Sequence, residues 1–457
     1  MSSELLPREG SAVRATADSR PGMTARDRRR IVLASGIGTA LEFYDFGVYG
    51  YLAIIIAANF FSEQNSITAL LSTLATFAVA FVVRPIGGII FGHIGDKISR
   101  KRALALSILG MATATFLIGI LPTYAAIGVF APILLVTLRI VQGLSAGGEI
   151  GGAVSMISES VPNRSRGFWT SLAQSGSLVG LVLASATVGL CNALLTSEQM
   201  SAWGWRLPFL MALPTGVVGV YVRSKLEESA LFLQVKQEGK LARIPILEVV
   251  RSAKGAVAKA FGIAAMDFAA YYVAFVYLSI YIVNHLNLSP AYAQWSTSAT
   301  IFLALLTLPA FGALSDRIGR KKVVAGSAAA LIVLPMPLFM LLNSGNMVVI
   351  VLAQMVLGLC VAAIMGVIWS ALAELFGTGI RFSGMALGFN LGAALVGGLT
   401  PYISEWLLNA TGSVYSPAWW LIGVSVVTLL TSFTLRETAR ADLAAVGTKY
   451  LAAVGTK

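Results

Sequence analysis

Twelve apolar runs, each of 18 residues or more and separated by short polar joints, constrain this chain more than any other feature. They lie at about 30–58, 66–92, 103–121, 127–159, 168–191, 204–222, 258–284, 292–314, 323–342, 346–374, 383–409 and 417–436. Roughly 20 apolar residues carry a helix across a ~30 Å hydrocarbon core, where a helix satisfies its own backbone polar groups. An all-α polytopic membrane protein is therefore expected. Composition agrees: 57% of residues are apolar and 12% charged, whereas soluble domains carry about 25% charged residues.

The formal net charge of +12 would suit nucleic acid, but the placement of the basic residues argues against that partner. Seven arginines between Arg8 and Arg30 precede or open the first run. The joints after even-numbered runs hold clusters such as Lys97, Arg100, Lys101, Arg102, then Arg164 and Arg166, then Arg317, Arg320, Lys321 and Lys322, then Arg381. The joints after odd-numbered runs, near 59–65, 122–126, 192–203, 285–291, 343–345 and 410–416, hold no Lys or Arg. Positive charge stays on the cytoplasmic side, so both termini are expected there, with the basic loops also meeting anionic lipid. Residues 1–29 are polar and Arg-rich, without the short apolar core of a removable signal peptide.

The chain is internally repeated. Gly92-His93-Ile94-Gly95-Asp96-Lys97-Ile98-Ser99-Arg100-Lys101-Arg102 returns as Gly312-Ala313-Leu314-Ser315-Asp316-Arg317-Ile318-Gly319-Arg320-Lys321-Lys322, with Asp96 and Asp316 separated by 220 positions. Glu159 with Arg166-Gly167-Phe168 is echoed by Glu374 with Arg381-Phe382, and the stretch around Arg139 by the stretch around Gln354. The expected organisation is a disordered cytoplasmic N-terminus at 1–29, a six-helix half at 30–222, a mixed-charge surface linker at 223–257, a second six-helix half at 258–436 and a cytoplasmic tail at 437–457. Within that tail Leu443–Lys449 recurs letter for letter at Leu451–Lys457, a perfect copy that reads as a scar in the sequence rather than as structure.

Two parallel six-span halves with duplicated acidic and basic loops resemble the major facilitator superfamily over nearly all of residues 30–436. Four stretches are similar to its metabolite:proton symporter branch: Leu41-Glu42-Phe43-Tyr44-Asp45-Phe46-Gly47-Val48-Tyr49-Gly50, Arg84-Pro85-Ile86-Gly87-Gly88, Gln142-Gly143-Leu144-Ser145-Ala146-Gly147-Gly148-Glu149, and Trp203-Gly204-Trp205-Arg206-Leu207-Pro208-Phe209. That branch includes carriers of proline and betaines, α-ketoglutarate, citrate-type acids and shikimate. The resemblance implies a secondary carrier in a bacterial inner membrane, working by alternating access. The extended coiled coil of osmosensing relatives has no counterpart after Arg436, so direct osmotic activation is not expected.

Charges at membrane depth mark the candidate site, because each costs at least ~2.5–3.5 kcal/mol at the centre of a span and faces a partner or cavity. Arg139 lies some ten residues into the fourth run, about 15 Å deep. Glu42 and Asp45 reach similar depth on one face of the first run. The repeat gives an independent check: the counterpart of Arg139 is Gln354 and that of Glu149 is Ile364. Charges lacking a counterpart in a symmetric scaffold suit solute and proton better than architecture. Because the first and fourth spans line the cavity in this superfamily, the resemblance implies that Arg139 partners Glu42 or Asp45. Glu149 could instead pair with Arg84, a purely structural role.

In the seventh run Asp267 precedes Tyr271 and Tyr272, an aromatic pair that resembles the proline/betaine members. Aromatic faces attract ammonium groups and a guanidinium suits a carboxylate, so Arg139 and the tyrosines together would hold a zwitterion. The expected solute-binding set is Arg139, Tyr44, Tyr49, Tyr271, Tyr272, Trp369 and Asn390; the proton-coupling candidates are Glu42, Asp45, Glu149 and Asp267. The gating set is Gly92, Asp96, Arg100, Arg102, Asp316, Arg320, Glu159, Arg166, Glu374, Arg381 and Arg84. In it, Asp96 and Asp316 would sit against helix N-termini and tie neighbouring helices in one state; simple topology anchoring is the alternative for Arg100, Lys101 and Arg102.

Other chemistries find little support. Cys191 and Cys360 lie in apolar runs without metal spacing, and His93 and His285 lie in joints. No GxxxxGK[ST] sequence is present, so energy would come from an ion gradient or the solute's own. No catalytic constellation is visible, and no cofactor or metal is expected. The expected partners are a small organic solute, a proton and the bilayer, with the chain acting as a monomer. A di- or tricarboxylate or shikimate-like solute, passive uniport and a non-transporting sensor stand as alternatives.

Overall fold

The computed structural model describes residues 25–61, 65–97, 100–147, 154, 157–158, 161–224, 249, 251, 253–377, 380–439 and 441. Among them all regular structure is helical, and apart from short connecting turns the helices group into twelve units in chain order, numbered spans 1 to 12, of which seven, or nine counting two bent pairs, are long and apolar enough by themselves to cross a membrane. Span 1 is Ala25–Tyr51 and Ala53–Phe60, bent by 63° at Leu52. Span 2 is Ser66–Val82 with Arg84–Lys97, span 3 Arg100–Ile120, span 4 Phe130–Ala146, span 5 Arg166–Leu194, and span 6 Arg206–Leu210 with Ala212–Ser224. Span 7 runs through Lys254–Tyr272, Val273–Tyr277 and Leu278–Asn284, and span 8 is Pro290–Ile318. Span 9 is Arg320–Val333 with Pro335–Leu342, bent by 44°, and span 10 Met347–Ala373. Span 11 runs through Arg381–Gly392, Ala393–Gly397 and Thr400–Thr411, and span 12 is Ser416–Thr434.

Local chemistry explains where these helices start and bend. On the face away from the basic loops, Asn65 caps span 2 by accepting from the Ile67 and Thr68 N–H groups, and Ser289 caps span 8 ahead of Pro290. Asn346 caps span 10 in the same way. Pro335 lacks an N–H and marks the bend of span 9. Spans 7 and 11 each widen into one π turn, at Val273–Tyr277 and Ala393–Gly397; Pro401, four residues after Gly397, lacks the N–H to continue the ladder there, whereas no proline lies near the first.

Span 5 lies along span 1 in its own half and span 8 in the other. Close approach needs glycine. A side chain at Gly147 would run into the carbonyl of Arg84, and one at Gly87 into that of Leu144, so the backbones of spans 2 and 4 touch. Gly167 and Gly312 do the same between spans 5 and 8, across the two halves. The apolar window of span 7 is wholly buried, whereas Leu183, Val217, Leu306 and Phe433 lie open on the outside of the bundle, as lipid-facing residues should. Most of the linker and tail, with residues 1–24, lies outside the described residues.

Candidate functional site

Two buried arginines organise the first half, and they take different partners. Glu42, in the middle of span 1, forms an ion pair with Arg84 at the break in span 2 (Nη2 to Oε1, 2.5 Å), both side chains fully buried. The Arg84 guanidinium lies over the rings of Phe46 and Phe81, each 4.6 Å away. Arg139 donates to Gln142 Oε1 (2.9 Å) and to the Phe77 carbonyl (3.0 Å), with the Tyr49 ring 4.3 Å away. Gln142 passes the chain on to Thr115 Oγ1 at 2.6 Å. Asp45, one turn beyond Glu42, is buried next to Thr115 and Arg139.

Among the described residues Arg139 thus forms no ion pair with either first-span acid: Glu42 pairs with Arg84, and Asp45 lies near enough to Arg139 only to feel its charge. Three residues apart, the two acids share a face of span 1 but point about 60° from each other around its axis, Glu42 to Arg84 of span 2 and Asp45 toward Thr115 of span 3 and Arg139 of span 4. Arg84 is thus engaged by Glu42, and Glu149, its other proposed partner, lies outside the described residues. Tyr44 turns away from this centre and donates to the Pro208 carbonyl in span 6 at 2.8 Å. Tyr49 is anchored on the Thr73 carbonyl (3.2 Å) with its ring against Arg139.

The second half faces this network with an aromatic band. Tyr272 meets Phe77 and Phe81 of span 2 edge to face (5.6 and 5.4 Å), and Tyr271 meets Phe43 of span 1 at 5.4 Å. Phe268, one turn before Tyr272, lies on Phe389 (4.6 Å), which lies on Trp369 (4.4 Å). Trp369 then donates to Gln174 of span 5 at 2.5 Å, crossing back to the first half. Within this apolar setting Asp267 Oδ1, the Tyr271 and Tyr272 hydroxyls and Asn390 Oδ1 are buried and find no hydrogen-bond partner among the described residues.

On the basic face the halves are clamped. Asp316 accepts from the backbone N–H groups of Gly167 and Phe168, both at 2.9 Å, and pairs with Arg320 at 2.8 Å. Its charge thus meets the N-terminus of span 5, where helix amides and dipole favour an anion. Arg166 pairs with Glu374 across the halves at 2.6 Å, and Arg320 reaches the same carboxylate at 3.3 Å. Arg381 donates to the Ala373 and Phe376 carbonyls at the end of span 10. The Thr438 hydroxyl donates to Glu374 Oε2 (2.6 Å), and Glu437 accepts from the Arg320 N–H (2.8 Å). Of the duplicate loop, the side chains of Gly92, Asp96, Arg100 and Arg102 and the whole of Glu159 lie outside the described residues.

The opposite face is closed as well. Tyr51 of span 1 donates to the Phe275 carbonyl in the π turn of span 7 (2.7 Å), and Ser185 of span 5 joins Ser298 and the Gln294 carbonyl of span 8 (both 2.9 Å). Among the described residues the two halves are thus in contact on both faces. Sequence reasoning missed Thr115, Gln174, Glu437 and Thr438 as parts of these networks. Gln142 had a signal, since it stands three residues after Arg139 on the same helix face. Among the described residues no cluster of three or more His, Cys, Asp or Glu could hold a metal.

Comparison with known proteins accords with this architecture. Residues 31–255 match the family model for sugar (and other) transporters, and residues 260–450 that for the major facilitator superfamily. The chain is 37% identical over 424 residues to the glycine betaine/proline/ectoine/pipecolic acid transporter OusA of Dickeya dadantii, covering 91% of this chain and 84% of that protein. It is 36% identical to the proline/betaine transporter of Escherichia coli, covering 91% and 85% respectively. Among solved structures, the proton:xylose symporter XylE bound to 6-bromo-6-deoxy-D-glucose is similar in fold, with a TM-score of 0.74 at 16% identity, covering 94% of this chain and 100% of that one.

Proposed function

The chain belongs to the major facilitator superfamily and transports small solutes, and from that premise we propose that it carries a proline- or betaine-type zwitterion together with a proton, by alternating access of its two halves. The basic face is cytoplasmic by the positive-inside rule, so the Asp316 and Arg166 contacts form the inner gate and Tyr51 part of the outer one. Rocking about the central site opens one while the other holds.

One observation carries the reading: Asp45 and Arg139 are both buried in the first half, the carboxyl within the field of the guanidinium, opposite the tyrosines of span 7. A solute carboxylate arriving at Arg139 competes with Asp45 for the same guanidinium. A proton on Asp45 frees Arg139 for the solute, and a solute on Arg139 leaves Asp45 better off protonated, so each favours the other. Reciprocal couplings of this kind are worth about 1–3 kcal/mol, or 5–150-fold in affinity. Glu42 stays with Arg84 throughout, since a buried pair broken on one side costs about 3–5 kcal/mol.

The names of the relatives favour a zwitterion over di- and tricarboxylates, citrate or shikimate. Uptake of each into proteoliposomes, acid outside and with and without a protonophore, separates the readings. Accumulation of glycine betaine or proline that collapses with the protonophore is expected. Accumulation of a dicarboxylate with no response to betaine would overturn the assignment, and protonophore-insensitive equilibration would make the protein a uniporter.

A further inference from the structure

We propose that Asp267 is the counter-ion for the solute's ammonium group, so that the site selects zwitterions over anions of the same shape. The inference rests on the zwitterion reading above and adds which residue enforces it.

The case begins with charge pairing. Among the described residues six carboxylates are buried: Glu42, Asp316, Glu374 and Glu405 form ion pairs with Arg84, Arg320, Arg166 and His285, and Asp45, without an ion pair, lies within the field of Arg139. Asp267 has neither. It is 3% exposed, and its Oδ1 finds no hydrogen-bond partner among the described residues. A carboxylate held dry without a partner is costly unless a cation or a proton arrives.

The surroundings suit a cation. Asp267 adjoins Phe268 and lies one turn before Tyr271, and the rings of Phe43, Tyr271, Tyr272 and Phe389 enclose this level of the bundle. Aromatic faces attract alkylated ammonium groups without asking them for hydrogen bonds. The opposite charge of the site is Arg139, across the halves, with Phe77 touching both its guanidinium and Tyr272. A zwitterion laid with its carboxylate toward Arg139 and its ammonium toward Asp267 would join the first half to the second. An anion of equal shape would satisfy Arg139 and leave Asp267 unpaired.

A second consequence concerns the proton. At Asp267 a proton and an ammonium group neutralise the same charge and therefore compete, whereas at Asp45 proton and solute favour each other. Only the latter relation supports symport, which leaves Asp267 as the specificity residue.

The test uses a matched pair of ligands: glycine betaine and 3,3-dimethylbutanoate, which replaces the quaternary nitrogen by carbon. Each is titrated against counterflow of labelled proline in proteoliposomes holding the full-length protein. In the wild type 3,3-dimethylbutanoate should inhibit at least tenfold more weakly than betaine, and in Asp267→Asn that gap should close. An undiminished gap in Asp267→Asn would overturn the inference, as would equal inhibition by both ligands in the wild type. If Asp267→Asn fails to fold, Asp267→Glu serves: its longer arm should change the proline-to-betaine preference several-fold, and an unchanged preference contradicts the proposal. A wild type that moves dicarboxylates but neither betaine nor proline removes the zwitterion reading itself, a failure distinct from the loss of Asp267's role alone.

Discussion

Asp316 accepts a hydrogen bond from the backbone N–H of Gly167 at 2.9 Å, joining the end of span 8 in one half to the first turn of span 5 in the other. The contact exists because two glycines, Gly167 and Gly312, let those helices meet.

Asp316→Asn keeps the shape and removes the charge. Hydrogen bonds to charged groups contribute about 1.5–3 kcal/mol each, and 1.4 kcal/mol is a tenfold shift in equilibrium. The variant should favour opening on the basic face by at least tenfold. Alkylation of a cysteine placed at Ser171, in a background without Cys191 and Cys360, should accelerate accordingly from that side; an unchanged rate would show that the clamp lies elsewhere.

Tyr51→Phe should act in the opposite direction. It removes the hydrogen bond to the Phe275 carbonyl, a neutral bond of about 0.5–1.5 kcal/mol, and so should favour opening on the other face by roughly two- to tenfold. Combined with Asp316→Asn, it should return the reporter rate partway toward the wild type.

Glu42→Gln leaves Arg84 buried without its counter-charge. A loss of about 3–5 kcal/mol is expected, read as a lower unfolding temperature in detergent. Adding Arg84→Met, which removes the stranded charge, should recover part of that loss. A single variant as stable as the wild type would mean that Glu42 is protonated in the resting protein.

Gly147→Val should prevent spans 2 and 4 from meeting, because its side chain would occupy the space of the Arg84 carbonyl. Overpacking costs about 1–3 kcal/mol even where side chains can yield, and a backbone yields less. No monodisperse protein should be recovered by size-exclusion chromatography. Gly326→Ala, with nothing within 4 Å of the added carbon, should behave as the wild type.

The twelve spans were legible because each is a long, predominantly apolar run between polar joints, and the two halves because Asp96 and Asp316 carry the same motif. The bends were less so. Pro335 announces one and Pro401 the π turn at Ala393–Gly397, but the π turn at Val273–Tyr277 leaves no such mark. At the candidate site the sequence marked Glu42, Asp45 and Arg139 as charges within spans, and the structure buries all three, but the sequence did not give their pairing. Glu42 and Asp45 share one helix face, and only the register of span 2 against span 1 decides which of them Arg84 takes. Glu437 and Thr438 read as part of a solvated tail, since what they bind, span 9 and Glu374, is remote in sequence.

Gradient-driven transport by Asp45→Asn tests the central claim most directly. Proteoliposomes holding the variant should exchange labelled betaine across equal concentrations, yet fail to accumulate it when the outside is made acidic. Accumulation as large as that of the wild type would contradict a proton carried on Asp45 and with it the shared role of Arg139.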